Sequence, residues 1–397
     1  MKKIIITVIV VLFSALLIQE SKAIPAFARK YRMSCKTCHA PFPKLKPYGD
    51  DFAGNAFKLS DEKSPGYFVE TGDDDLSLLR SFPLAARIEG FINYDTEQEK
   101  SDFATPYNIK LLTGGEIFDD VAYYFYFYMD ERGEVAGVED AYIMFNNLFN
   151  IDLDLYVGQF QISDPLFKRE LRLTLEDYQL YKSTPGLSDA NLTYDKGIML
   201  TLGLETGTDI ILEVVNGNGL VNADASHLFD KDDYKSVVGR VSQDIGDFLR
   251  IGAFAYTGAE DQISDNLGNV KNNVFIWGPD ASLSISDKVE LNLQYLIRAD
   301  DNLLLSQAAI TPEEDFKTNG LLAELHFMPA GDDSKWYGSA LFNYVESDND
   351  IMNYKTAALH YGYLLRRNLR LVAEYRYNFT DEDNPFHTFG IGFITGL

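Results

Sequence analysis

From residue 84 to the C-terminus, apolar and polar side chains alternate in runs of about ten residues that recur until the chain ends. Residues 289–298 show the pattern. Val289, Leu291, Leu293, Tyr295 and Ile297 share one parity; Glu290, Asn292, Gln294, Leu296 and Arg298 share the other. Residues 369–379 repeat it, with Leu369, Leu371, Ala373, Tyr375, Tyr377 and Phe379 against Arg370, Glu374, Arg376 and Asn378. Successive side chains of a strand point to opposite faces, so this period predicts strands with one apolar face. Such runs fall at about 84–95, 106–117, 119–130, 137–147, 150–161, 195–204, 207–216, 236–244, 248–258, 272–285, 287–299, 316–328, 334–346, 353–365, 368–379 and 385–396. That makes about sixteen strands, each with about the ten residues that a tilted membrane-crossing strand needs.

Connection lengths separate a soluble β protein from a membrane barrel. After even-numbered strands they are short, as at Phe118-Asp119, Thr206-Gly207-Thr208, Ser286-Asp287 and Arg366-Arg367. After odd-numbered strands they are mostly longer and acidic, as at 217–235, 259–271 and 300–315. Outer-membrane barrels have short periplasmic turns and long extracellular loops, whereas a soluble sandwich has no reason to sort loops by parity. The expected fold is therefore all-β: a transmembrane antiparallel β-barrel over residues 83–397, both ends of which lie in the periplasm. The apolar parity would face lipid and the Glu, Arg and Asn parity would line a polar lumen. In the last strand Phe389, Ile391 and Phe393 share the lipid parity. Residues 162–194 form one unusually long connection. Asp164-Pro165 would start a helix there, with Leu171, Leu175 and Tyr178 on one face. It would either fold into the pore or pack on the rim.

The N-terminal region reads differently. Lys2 and Lys3, an apolar run from Ile4 to Ile18 and Ser21-Lys22-Ala23 predict a secretory signal peptide over 1–23, too short to be a membrane helix. Removing it takes the net charge from −25 to −27. A surface this acidic repels nucleic acid and gives anionic lipid headgroups no basic patch. With 24 Tyr, 27 Phe and two Cys, the composition suits an outer-membrane barrel and excludes a disulfide-stapled fold. Residues 24–82 hold Pro25, Pro41, Pro43, Pro47 and Pro65, both cysteines and little alternation, and read as a separate small module.

That module carries the chemistry. Residues 35–39 read Cys-Lys-Thr-Cys-His, the attachment signature of a c-type haem. On one helical turn two thiols can reach two vinyl groups of one porphyrin edge, and the next residue can present its imidazole to the iron. Cys35 and Cys38 would form the thioethers to one covalent haem c, and His39 would be the proximal ligand. A zinc half-site would want further Cys or His nearby, and none occurs before His227.

The flanks extend the motif. Pro25, Phe27, Ala28 and Arg29 precede it; Phe42, Pro43, Leu45, Pro47 and Gly49 follow it. Residues 24–58 thereby resemble the fused monohaem cytochrome–porins of bacterial outer membranes, whose best-known members are ferrous-iron oxidases. The resemblance implies a haem plug in or beneath a pore, passing electrons between an extracellular donor, with Fe(II) the candidate, and periplasmic cytochromes. It thus raises an Fe(II):cytochrome c oxidoreductase activity, with a non-enzymatic electron carrier as the other form of the same reading. A solute-conducting porin with the module as a plug or sensor is the alternative; Arg370, Glu374 and Arg376 would then set selectivity.

No Met or His lies between Ala40 and Pro83, so the distal iron ligand is not legible. The iron position would be open, or the candidates are Met33, His326 and His360, the two histidines being on the polar parity of their strands. A peroxidase would want a distal His–Arg pair, absent from residues 40–83. The acidic stretches Asp300-Asp301, Glu313-Glu314-Asp315, Glu346 with Asp348 and Asp350, and Asp381-Glu382-Asp383 could collect divalent cations or be ordinary solvated loops.

Overall fold

The computed structural model describes residues 26–31, 33–55, 57–59, 68–73, 75–80, 82–131, 134, 137–162, 166–230 and 232–397. The expected signal peptide and the Asp164-Pro165 helix start lie outside them. Sixteen antiparallel strands close into one barrel. They are β1 (Leu84–Asp95), β2 (Lys100–Phe118), β3 (Val121–Glu131), β4 (Val138–Phe145), β5 (Leu153–Gln161), β6 (Tyr194–Leu204), β7 (Thr208–Val215) and β8 (Ser236–Ile245) in the first half. The second half is β9 (Leu249–Ser264), β10 (Gly268–Ser286), β11 (Val289–Leu303), β12 (Glu313–Phe327), β13 (Trp336–Ser347), β14 (Tyr354–Arg366), β15 (Leu369–Asn378) and β16 (Phe386–Gly396). Closure pairs β1 with β16, from Arg87 opposite Gly396 to Asp95 opposite Thr388.

The faces follow the predicted parities. Phe275, Trp277, Tyr295, Leu359, Tyr361 and Ile391 point outward and are exposed, while Glu260, Asn272, Arg298, Asn343 and Glu374 are buried inside. This inversion of a soluble protein is what lipid demands of a barrel exterior. Several buried charges inside are paired, as Arg240 is with Asp280 at 2.6 Å and Arg298 with Asp300 at 2.8 Å.

Two connections differ from expectation. The supposed loop 259–271 is mostly strand, because β9 and β10 stay paired to Ser264 opposite Gly268. Hydrophobic alternation fades where a strand leaves the lipid, yet the backbone ladder continues into water. The long connection 162–194 contains no long helix among its described residues, only a 3-10 turn at Arg169–Leu171 and one helical turn at Gln179–Lys182. It resolves the pore-or-rim alternative by entering the pore. It is braced within itself, as by Arg169 on Asp177 at 2.6 Å, and also tied to the wall. Tyr178 donates to Glu324 at 2.9 Å and Tyr181 to Gln294 at 2.6 Å. The amides of Leu175 and Glu176 donate to Glu374 at 2.6 and 2.8 Å. Leu180 and Tyr181 pack against Leu296, Leu322, Leu341 and Ala358, so the lumen carries an apolar core at this level.

A polar chain braces the wall beside it. Arg370 donates to the Tyr337 hydroxyl (2.5 Å), Tyr337 to Nε2 of His360 (3.3 Å), and Nδ1 of His360 to Glu374 (2.9 Å). The Tyr337 ring lies across Gly362, its partner on β14; a Cβ there would meet the ring at 2.1 Å. Gly362→Val therefore evicts Tyr337 and strains the chain to Glu374. The expected cost is about 1–3 kcal/mol, read as a lower unfolding temperature of the detergent-solubilised barrel. An unchanged transition would show that the ring is not packed there.

Candidate functional site

The site is built on a short turn. Ser34 caps the 3-10 turn Cys35–Thr37, its hydroxyl accepting from the Lys36 amide. The His39 amide donates to the Cys35 carbonyl at 2.9 Å, which sets His39 one turn beyond Cys35. Nδ1 of His39 donates to the Pro43 carbonyl at 2.8 Å. That bond fixes the neutral tautomer with the lone pair on Nε2, the arrangement of a metal-ligating imidazole. Burial pushes the His39 pKa down to about 4, so the ring is neutral at physiological pH. Burial also raises both thiols, Cys38 with a further contribution from Cys35.

Two helices hold the turn: α1 (Ala26–Tyr31) and α2 (Pro47–Gly54). Pro47 at the first turn starts α2 where its missing N–H costs nothing. Gly49 lets α2 lie on the haem-signature turn, since a Cβ there would sit 2.3 Å from the Cys38 carbonyl oxygen. Phe27 stacks on Phe57 at 4.6 Å, and Phe52 meets both edge-on. Phe57 in turn stacks on Tyr124 of the barrel wall at 5.5 Å.

The module sits in the mouth that carries the short turns. Lys36 pairs with Asp333, Lys46 with Asp332, Lys44 with Glu290 and Lys58 with Asp120, all at that end of the barrel. Asn146 donates to the Gly54 carbonyl at 2.6 Å.

Between module and wall lies a cavity of about 220 Å³, lined by Cys35, Cys38 and His39 together with Met33, Phe27, Phe42, Leu45 and Phe52 from the module. The wall contributes Arg87, Lys110, Leu112, Tyr124, Tyr126 and Tyr142. These wall residues were missed by the sequence reading, although Tyr124 and Tyr126 alternate with Tyr123 and Phe125 and so make both faces of β3 aromatic. A c-type haem needs two thiols on one edge, an imidazole with a directed lone pair, an apolar enclosure and cations for its propionates. The residues present fit each requirement of donor set, apolar lining and nearby cations.

Of the distal candidates, Met33 lines this cavity. His326 and His360 do not. Nε2 of His326 donates to Glu324 at 3.1 Å and its Nδ1 accepts from Ser339 at 2.9 Å, beside a separate polar cavity of about 430 Å³. Both nitrogens of His360 are engaged in the chain to Glu374. His227 lies in a loop and His387 faces outward between Tyr375 and Tyr377. Among the described residues no three His, Cys, Asp or Glu side chains converge as a metal site. The acidic stretches instead organise the loops: Asp348 accepts from the Lys317 amide and Asp381 from those of Asp383 and Asn384.

No protein-family profile and no curated protein sequence matches the chain. Solved structures do. An anion-selective porin from Comamonas acidovorans aligns with TM-score 0.55 and 11% identity, over 80% of this chain and 99% of the other. OmpF of Salmonella typhi in complex with daunomycin gives 0.54 and 12%, over 79% and 97%. The outer membrane channel DcaP of Acinetobacter baumannii gives 0.52 and 13%, over 79% and 96%. At this identity the likeness establishes the porin fold of the barrel.

The lysine contacts at the mouth make the docking electrostatic. Exposed pairs of this kind contribute about 0–1 kcal/mol each. Replacing Lys36, Lys46 and Lys58 together with Gln should leave the barrel intact and make the module a target for limited proteolysis. Lys58 holds the Asp120 carboxyl below its ordinary range through their hydrogen bond. The Asp120 contribution is thus present above about pH 4 and lost as pH falls through the lowered value. Protection of the module should weaken in that acidic window and at high salt; protection independent of both would rule out the ionic latch.

Proposed function

We propose that the chain is an outer-membrane electron-transfer protein whose single covalent haem c is held by Cys35, Cys38 and His39 inside the barrel mouth. One observation carries the reading: both thiols and the imidazole open onto the same apolar cavity, enclosed by the barrel wall. The exposed apolar exterior and the porin fold support residence in the outer membrane. When bound, the haem supplies a one-electron couple. The protein's part is to fix the imidazole through Pro43, to exclude water with Phe27, Phe42 and Phe52, and to hold the module in the mouth. Electrons would pass between an extracellular donor, with Fe(II) the first to test, and periplasmic cytochromes. The activity would then be that of an Fe(II):cytochrome c oxidoreductase.

The porin neighbours favour a second reading, a solute channel plugged by the module. Against free conduction stands the inward segment 162–194, which packs Leu180 and Tyr181 across the lumen.

Production in a host that attaches c-type haem decides the first point. Wild type should carry haem that survives denaturing electrophoresis; Cys35→Ala with Cys38→Ala should lose it completely, and the barrel should still fold. In liposomes, external Fe(II) should reduce the haem. Large, stable solute currents in planar bilayers with haem attached would instead support the channel.

A further inference from the structure

Lys110 is a lysine without a direct ion pair among the described residues, though the carboxylates of Glu89 and Glu139 and the guanidinium of Arg172 lie within electrostatic reach of it. It stands inside the barrel, 3% exposed, and lines the cavity that holds Cys35, Cys38 and His39. Its ammonium makes no hydrogen bond or ion pair among the described residues and rests only over the rings of Tyr126 and Tyr128, at 5.9 and 4.1 Å. The register sets Arg87 of β1 directly opposite it, on the same inward face. Two like charges facing each other across neighbouring strands oppose folding, and here Lys110 is buried and Arg87 partly so. Glu89 lies within electrostatic reach of both but forms a direct ion pair with only one of them. It pairs with Arg87 at 2.6 Å and accepts from Asn108 at 2.7 Å. Asp140 and Glu170 share the lining; Glu170 bonds the Tyr194 hydroxyl, and neither pairs with Lys110. Lys168 adds a further cation to the lining. The wall therefore offers a cation without an ion-pair partner to the same cavity that the thiols line.

We propose that Lys110, with Arg87, receives the carboxylates of the haem, its two propionates. The inference rests on the haem reading above. The thioethers would fix the vinyl-bearing edge to the module. The propionates leave the macrocycle from its other side, and on the wall the groups able to neutralise a carboxylate are Arg87 and Lys110. The pairing would satisfy the lysine and tie the module to the wall through the cofactor itself. Lys110 is thus a positioning residue for the haem.

Wild type, Lys110→Gln, Lys110→Met and Lys110→Arg should be made alongside haem attachment and compared by spectroelectrochemistry over the acidic to neutral range. Both neutral variants should keep covalent haem and an unchanged Soret band. Their reduction potential should fall, because a cation beside the haem is lost. The pH at which the potential inflects with propionate ionisation should rise, because the ionised form has lost its partner. Lys110→Arg should restore both. Having two neutral variants of different shape guards against one that fails to fold. An unchanged potential and inflection in a folded, haem-bearing neutral variant would overturn the assignment. So would a shifted Soret band, which would mark Lys110 as an iron ligand. A wild-type barrel that folds without covalent haem would overturn the underlying reading instead, a distinct outcome.

Discussion

A strand in hydrocarbon can satisfy its backbone only on another strand, and a sheet in hydrocarbon can end only by meeting itself. The pairing of β1 with β16 is that meeting, between residues as far apart in sequence as Arg87 and Gly396. The remaining structure is a consequence of it. Closing sixteen strands leaves an interior too wide for wall side chains alone to fill. The chain fills it from both ends, with 162–194 folded in from the long-loop side and residues 26–59 seated in the opposite mouth.

The two fillings use different physics. The inward segment is held by hydrogen bonds to lumen carboxylates and amides, as Glu374 takes two successive backbone amides and Tyr178 and Tyr181 reach Glu324 and Gln294. These bonds lie in a water-poor interior, where an unmet polar group is costly, so they fix one path for the segment. The module instead docks through an aromatic stack on Tyr124 and a rim of exposed lysine–carboxylate pairs. It is the more readily detached of the two.

Much of the barrel was legible because lipid imposes a strict period on residues that meet it. Strand order, strand number, the outward set and the inward position of His326 and His360 all follow from parity. The grouping of Cys35, Cys38 and His39 on one cavity was legible because residues so close in sequence share one turn. The path of 162–194 was not read, yet apolar residues on the lumen parity, Leu296 and Leu322 among them, mark where it packs. The wall of the cavity was also missed. Arg87 and Lys110 meet through pairing of β1 with β2 and face the module only after docking, so no spacing in the sequence joins them to the cysteines.

The division of the cavity between module and wall bears on the order in which the molecule can be made. The thiols sit on one component and half of their enclosure on another. Once residues 26–59 are seated, Phe42 lies against Gly396, the penultimate residue, and the cavity is walled in by strands from the start of the barrel. Residues that line one cavity therefore come together only when the module and the closed barrel are both formed, so the cavity is a product of docking and belongs to neither component alone.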